Sequence, residues 1–588
     1  MIKKSLVTTA LESTWPKEGP LIFLGSWCCS FSRREYWSSL DFEIVPYHWD
    51  DRDKLLRDYR DLELIYETYL AIFAKKLNEI HRTELSNRFW RILIGPWLYT
   101  CIQVVFDRWY MLNKALESED FVQIYSLGNQ LSALATDDID SFNRAIETDE
   151  WNETLYGCLA EFFFSSKVSV HYVKEAGCQN KSVKKNKPKR NFKSRIIKLC
   201  NKVAGFFTGE TDVFVIAPHM SFVKQILLHL ELRQFPAFWF RDCKEYSYLT
   251  NPLLRETVMF TGVPGVLNEF EAVLNSIVFK LIPKIYLEGF DSLLDATKSQ
   301  GWPKSPKAIL TSNSYASDEI FKCWAGNQVD AGSKLIISQH GGNFGMTPMA
   351  IHETHQIKIA DKWLSWGWKD SAQPKIIPVG NFKSRSAKIK HRSKGDALLV
   401  SMTLPKFSYY LYSVPIAGQV GEYFNDQLEF ADALPDYIRQ KLRVRLYPVD
   451  RDWDQRSRWQ SRCDQISFDS GKRSLLDSLS HSRIFVGTYN ATTYLETFSV
   501  NMPSILFWNP RHWEVTTETM FYFGRLIDVG ILHTSPQSAA AHLGKIWNEV
   551  DDWWFSDQVQ DVIDDFNRRY SMYNPQVVSS IAKHLKSL

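Results

Sequence analysis

The feature that most constrains this chain is a rhythm that appears twice. From Asp212 onward, apolar runs of strand length alternate with helical stretches. The first series holds DVFVIA (Asp212–Ala217), AILTS (Ala308–Ser312) and KLIIS (Lys334–Ser338), with Asp318–Ala325 reading as a crossover helix. The second holds ALLVSM (Ala397–Met402), VRLY (Val444–Tyr447), IFV (Ile484–Val486) and SILF (Ser504–Phe507), with helical patterns between them and on to the C-terminus. Strands that are apolar throughout belong to parallel sheets covered by helices on both faces. Between the series, Lys375–Lys394 is charged, carries a Pro and a Gly, and reads as a linker. The expected fold is therefore α/β, with two doubly wound, Rossmann-like domains over residues 1–380 and 395–588 facing a cleft. A length of 588 residues agrees, since single cores stop growing near roughly 250–300 residues.

Before this rhythm begins, LIFLGSWC (Leu21–Cys28) reads as a first buried strand and its loop. From Asp50 to Ala115, Leu55, Leu62, Ile65, Tyr66, Tyr69 and Phe73 recur at helical spacing. A helical insertion over residues 50–205 is expected in the N-terminal domain, with Asp137–Trp151 as an acidic surface segment. Lys181–Lys198 holds nine Lys or Arg residues. It reads either as a solvated connection or as a patch for anionic headgroups of the inner membrane or a polyanionic acceptor.

Bulk properties remove several function classes. A formal charge of +3 argues against nucleic-acid or membrane binding by bulk charge. With 45% apolar residues, 21 Trp and 25 Tyr, the chain is too aromatic to be disordered. No apolar h-region follows the first lysines, and no run of about 18 apolar residues occurs, so neither a secretory signal nor a membrane-spanning helix is expected. Nine scattered cysteines without a CxxC pair fit a reducing cytoplasm better than a disulfide framework or zinc site.

Two motifs sit where open α/β sheets bind ligands, just after strands. The first is Gln339-His340-Gly341-Gly342-Asn343. Its glycines allow a tight turn and close approach to a ligand. Its histidine titrates near working pH and can serve as a general base, although a structural histidine in a glycine turn is the plainer reading. The second is Gly487-Thr488-Tyr489-Asn490-Ala491-Thr492-Thr493, a strand–loop–helix junction with Glu496 one turn into the helix. Hydroxyls and free N–H groups at a helix N-terminus suit phosphate, and the carboxylate can take ribose hydroxyls. Simple N-capping by Thr492 or Thr493 is the alternative and is compatible with it. Arg445, at the end of VRLY, is a candidate for pairing with phosphate.

Aromatic clusters at Arg88–Trp90, Gly95–Trp97 and Phe106–Trp109 suit sugar rings but read more simply as helix packing, and Trp363, Trp366 and Trp368 invite the same comparison. His48, Asp50 and Asp51 raise the question of a metal. No DxD triplet follows a strand of the first domain, and Asp450-Arg451-Asp452 lies in the second, so no essential divalent ion and no bound cofactor are expected.

Taken together, FLGSWC (Phe23–Cys28), RFWRILIGPWL (Arg88–Leu98), FDRW (Phe106–Trp109), SQHGGNFG (Ser338–Gly345), ADKWLSWGW (Ala360–Trp368), VGTYNATTYLET (Val486–Thr497), GILHTSPQSAA (Gly530–Ala540) and DDWW (Asp551–Trp554) make the chain resemble a transferase family encoded in bacterial O-antigen clusters, first named from a leptospiral protein. More distantly, the QHG, the Arg-x-x-Pro and the strand–Gly–Thr–helix–Glu series resemble GT-B capsule Kdo transferases and polyol-phosphate polymerases. The resemblance implies a GT-B-like fold and a sugar transfer from a nucleotide donor, with a CMP-linked acidic sugar favoured, to a lipid-linked or polysaccharide acceptor. It implies His340 as base, and Gln339, Gly341, Gly342, Asn343 and Trp366 are expected beside it on the acceptor side of the cleft. Arg445, Gly487, Thr488, Asn490, Thr492, Thr493 and Glu496 would line the donor side. Tyr447 stands where those enzymes often have His, which departs from their pattern. Transfer of a polyol phosphate, epimerisation of the donor and a non-catalytic assembly role are the competing readings on the same scaffold.

Overall fold

The computed structural model describes residues 4–117, 121–128, 130–173, 205–239, 247–257, 268–383 and 391–588, with Val203 and Ile389. The basic run Lys181–Lys198 lies outside them. Among the described residues the chain forms three parallel sheets rather than two. The first comprises β1 (Ser5–Val7), β2 (Leu21–Phe23), β3 (Phe42–Ile44), β4 (Val122–Ser126) and β5 (Val168–Tyr172), in the order β3-β2-β1-β4-β5. This is a Rossmann-type order, with the switch point between the neighbouring strands β1 and β4.

The expected helical insertion is thus only partly that. Two long helices, α1 (Arg52–His81) and α2 (Asn87–Ala115), form the crossover from β3 to β4, and the region then returns to sheet. β2 is the buried strand expected from LIFLGSWC, whereas β1 and β3, also three residues each, show no period that sequence could reveal. Asp51 caps α1 by accepting from the Lys54 N–H, and Ser86 caps α2 by accepting from Phe89. By length and composition α2 could cross a membrane, yet 89% of its most apolar window is buried inside the protein. Phe89, Trp90 and Trp97 are fully buried, so these aromatic clusters pack helices. Asp107 and Arg108 are buried too: Arg108 bonds to Asp107 (2.6 Å) and Asn152 (2.8 Å), while Tyr47 and His48 also bond to Asp107. His48 is thereby committed to the core. Asp137–Trp151 is not simply a surface segment, because Ile139, Phe142 and Trp151 turn inward.

The second sheet contains β6 (Phe214–Ile216), β7 (Ala308–Thr311), β8 (Lys334–Ser338), β9 (Lys362–Ser365) and β10 (Ile376–Pro378), in sequence order. β10 falls inside the stretch read as linker. Pro378, which has no N–H, is accommodated because β10 is an edge strand. The helices of this layer include α3 (Phe222–Glu231) and α4 (Glu319–Asp330). α2 packs on α4 so closely that a Cβ on Gly326 would lie 2.6 Å from the Phe89 ring.

The third sheet contains β11 (Asp396–Val400), β12 (Leu442–Arg445), β13 (Ser467–Phe468), β14 (Ser482–Gly487), β15 (Ser504–Phe507) and β16 (Leu532–His533). Its order, β13-β12-β11-β14-β15-β16, is that of a doubly wound domain. After β14 comes α5 (Thr492–Ser499). The chain ends with α6 (Asp557–Tyr570), packed on α5, and α7 (Val577–Lys586), packed on α3. Between them it crosses back to the second sheet: Met572 N–H donates to the Trp366 carbonyl (2.7 Å) and Asn574 Nδ2 to that of Val379 (2.8 Å). Gly367 permits this return, since a Cβ there would meet the Arg568 carbonyl at 2.7 Å. The result is a GT-B-like arrangement with an added N-terminal layer. That layer is tied to the third by Arg52, bidentate on Glu514 (2.6 and 2.8 Å), and by Lys406 on Asp149 (2.6 Å).

Candidate functional site

The site lies where the carboxyl ends of β6, β7 and β8 meet the N-terminus of α5. β8 is apolar and buried until Ser338, whose hydroxyl pairs with that of Ser312, just after β7, at 2.7 Å. His340 follows two residues later. One ring nitrogen is held by the Ser312 backbone, and Nδ1 is buried with no partner among the described residues. The ring faces His219 from the loop after β6, with centroids 5.8 Å apart and planes at 29°. His219 has φ of 52°, and Ala217 has 43°. Left-handed backbone at non-glycine residues is sparsely populated and recurs at functional sites. Lys383 Nζ donates to the His340 carbonyl and faces Glu496 Oε1 across the two domains at 4.0 Å.

Burial first, then the cost of a second charge beside His219 and the positive field of Lys383, push the His340 pKa down to about 3. His219 is lowered by burial and by Lys383. Lys383 is itself lowered by burial, partly offset by Glu496, and Glu496 is raised by burial against the pull of Lys383. The resting site therefore holds two neutral imidazoles beside a lysine–glutamate pair.

The two motifs singled out in the sequence touch. Gly342 N–H donates to Thr492 Oγ1 at 2.6 Å. Gly341 has φ of 151°, and a Cβ on it would lie 2.4 Å from the same oxygen, so only glycine lets the loop approach α5 this closely. Glu353 braces the loop from behind by accepting the Gly345 N–H at 2.8 Å, and burial raises its pKa to about 8.

Other residues expected at the site belong to the fold around it. Gln339 is buried and clamps a turn, its Oε1 accepting from the Trp366 N–H (2.9 Å) and Trp368 Nε1 (3.1 Å). Asn343 is buried behind the glycine turn, and Trp363, Trp366 and Trp368 are all core, so none of these offers a face to a sugar. On the other side, Gly487 sits where a Cβ would meet Leu506 at 2.7 Å. Thr488 is buried, bonding to the Val400 carbonyl and the Tyr423 hydroxyl, and Asn490 takes the Tyr494 hydroxyl. Arg445 is spent within its own domain on Asp469, Ser478 Oγ and the Arg473 carbonyl. Thr492, Thr493 and Glu496 remain partly accessible, with Thr493 bonded to the Tyr489 hydroxyl.

His219, Lys383 and Glu353 were missed by sequence reasoning. His219 carries a usable signal, being a histidine between a buried strand and a Ser N-cap, the same placement that draws attention to His340. Lys383 and Glu353 carry none. His219, Lys383 and Glu496 line a cavity of 1130 Å³, whose other walls come from Lys224, Leu227 and Glu231 on α3 and from Tyr573–Ser579 of the C-terminal return.

A family model described as LIC12162 family transferase matches residues 4–585, nearly the whole chain. The chain belongs to that family of transferases. The transferase has no match among curated proteins. Among solved structures it is similar to MnaA of S. aureus in complex with UDP, at 12% identity and a TM-score of 0.35, over 64% of this chain and 95% of that one. It is also similar to the wall teichoic acid polymerase TagF soaked with CDPG, at 11% identity and 0.27, over 68% and 94%. Similarities this loose carry no argument about the transferase's site.

Proposed function

We propose that this transferase moves a sugar from a nucleotide-activated donor to a surface-polysaccharide acceptor, as in O-antigen synthesis, at the inner face of the cytoplasmic membrane. The observation that carries the reading is the Gly342–Thr492 contact, which joins the histidine loop of one sheet to a helix N-terminus of another. The acceptor hydroxyl gives its proton to His340 Nδ1, while the Ser312 backbone holds the opposite nitrogen. The donor phosphate takes the N-terminus of α5 and the Lys383 ammonium, which balance the negative charge building on the leaving group. This assigns to Lys383 the part expected of Arg445. An anion beside Lys383 also cancels the positive field that depresses His340, so donor binding strengthens the base. A CMP-linked acidic sugar is the first donor to try, and no metal is required in this scheme.

The test is a thermal-shift screen against CMP, CDP, UDP, GDP and TDP, followed by turnover with the sugar carried by the nucleotide that binds. A ligand of the folded state raises the melting temperature by mass action. One nucleotide is expected to stabilise the wild type and to do so less in Thr492→Ala. His340→Ala is expected to keep that shift and to lose transfer by ~10²–10⁴-fold. No shift at millimolar nucleotide, or wild-type transfer by His340→Ala, overturns the proposal. Phosphate found in the product would place the attack at phosphorus instead.

A further inference from the structure

Helix α3 carries apolar residues on the side that faces away from the protein. At ~100° per residue, Phe222, Ile226, Leu230, Val223 and Leu227 cover an arc of roughly 140°. Phe222 is 62% exposed, Val223 63%, Leu227 47% and Leu230 57%. Leu228, on the opposite side, is buried, as is His229 at the margin of the arc, and α7 packs against the helix. A helix on a water-facing surface has the reverse distribution. The patch extends past the helix: Phe206 and Phe207, just before β6, are 84% and 64% exposed, and the Phe207 ring lies 5.2 Å from that of Phe235. Exposed apolar groups this concentrated mark a surface that is covered in use.

Charge identifies what covers it. Nine Lys or Arg residues lie between Lys181 and Lys198, directly ahead of the patch in sequence. Basic charge close in sequence to an apolar helix face suits an anionic lipid surface, where headgroups meet cations and acyl chains meet apolar groups. The helix also borders the cavity, with Lys224, Leu227 and Glu231 on one wall and His219, Lys383 and Glu496 on another.

We propose that the outward face of α3, with Phe206 and Phe207, docks the protein on an anionic bilayer, so that a lipid-linked acceptor enters the cavity from the membrane side. The docking stands on the patch and on the basic run that precedes it in sequence, whereas the acceptor route rests on the transfer reading above.

The experiment is flotation of the full chain with vesicles of phosphatidylcholine and phosphatidylglycerol, comparing wild type with Phe222→Ser/Val223→Ser/Leu230→Ser, three exposed residues outside the cavity lining. The wild type is expected to float, and the triple variant to lose at least about tenfold in partitioning, since three large apolar groups no longer enter the lipid. These side chains are exposed, so the variant keeps its melting temperature, and transfer to a water-soluble acceptor stays at the wild-type rate. Only transfer to a vesicle-borne acceptor falls. A wild type that stays in the soluble fraction, or a variant that floats equally, overturns the docking, as does a wild-type dimer that the triple variant dissociates. His340→Ala separates the two proposals: it is expected to float like wild type, so loss of transfer without loss of flotation concerns the chemistry alone.

Discussion

Replacing Gly341 with alanine asks whether the contact between the histidine loop and α5 holds the site together. The added Cβ would stand 2.4 Å from Thr492 Oγ1, whereas ordinary contact begins at 3.4 Å, so loop and helix must part by 3.4 − 2.4 = 1.0 Å. Alanine at φ of 151° costs about 1–3 kcal/mol in backbone strain. Losing the Gly342–Thr492 hydrogen bond adds about 1 kcal/mol. The penalty, about 2–4 kcal/mol, falls on the junction rather than on any sheet, because each sheet has its own buried strands. The melting temperature should drop by a few degrees at most, while a misplacement near 1 Å should cost about 10²-fold in transfer. Thr492→Ala supplies the control. It removes the clashing oxygen and leaves the Thr492 Cβ at 3.3 Å from the new methyl, so the double variant should transfer faster than Gly341→Ala alone. Wild-type turnover in Gly341→Ala, or a double variant no faster than the single, would refute the reasoning.

Three further outcomes follow from the same geometry. Lys383→Met should weaken nucleotide binding and raise the His340 pKa, which NMR titration of labelled histidines would read, because one positive field on the imidazole is gone; an unmoved His340 would remove Lys383 from the site. Glu353 titrates in the native protein near 8, above the ordinary carboxyl value of 4.5, so its contribution is fully present below about pH 4.5 and is lost as pH rises through 8. Glu353→Gln keeps an acceptor for Gly345 and removes the ionisation, and should gain on the wild type by up to about 1.4 kcal/mol per pH unit between those limits; denaturant melts at pH 5 and pH 8 that show a constant difference would contradict this. Gly326→Ala presses a methyl into the Phe89 ring at 2.6 Å between α2 and α4, and should destabilise by about 1–3 kcal/mol without changing nucleotide affinity, as paired melts and titrations would show.

Residues that signal through backbone chemistry were legible before any coordinates. The apolar runs at Ala308–Ser312, Lys334–Ser338, Ala397–Met402 and Ile484–Val486 became central strands, because a parallel sheet covered on both faces demands continuous apolar sequence. The glycines after His340 and the threonines before Glu496 marked the two loops that meet. Of the first sheet only the buried strand at Leu21–Phe23 was legible, since β1 and β3, three residues each, carry no measurable period. The tryptophans after β8 and the arginine at the end of β12 were misplaced for one reason: a residue type suited to a ligand is equally suited to a core or to an internal ion pair, and only burial and partners tell them apart.

The sequence by itself determined the alternation of strand and helix, the strand ends at which chemistry can occur, and the glycine turn after His340. Those properties depend on local sterics and on the apolar period of each segment, which any stretch of chain carries within itself. Tertiary structure alone decided that His219, 121 positions before His340, faces it, that Lys383 bridges to Glu496, and that Arg445 turns inward. Such pairings depend on the order in which strands are laid into a sheet and on how the last two helices return across it, and no local pattern records either.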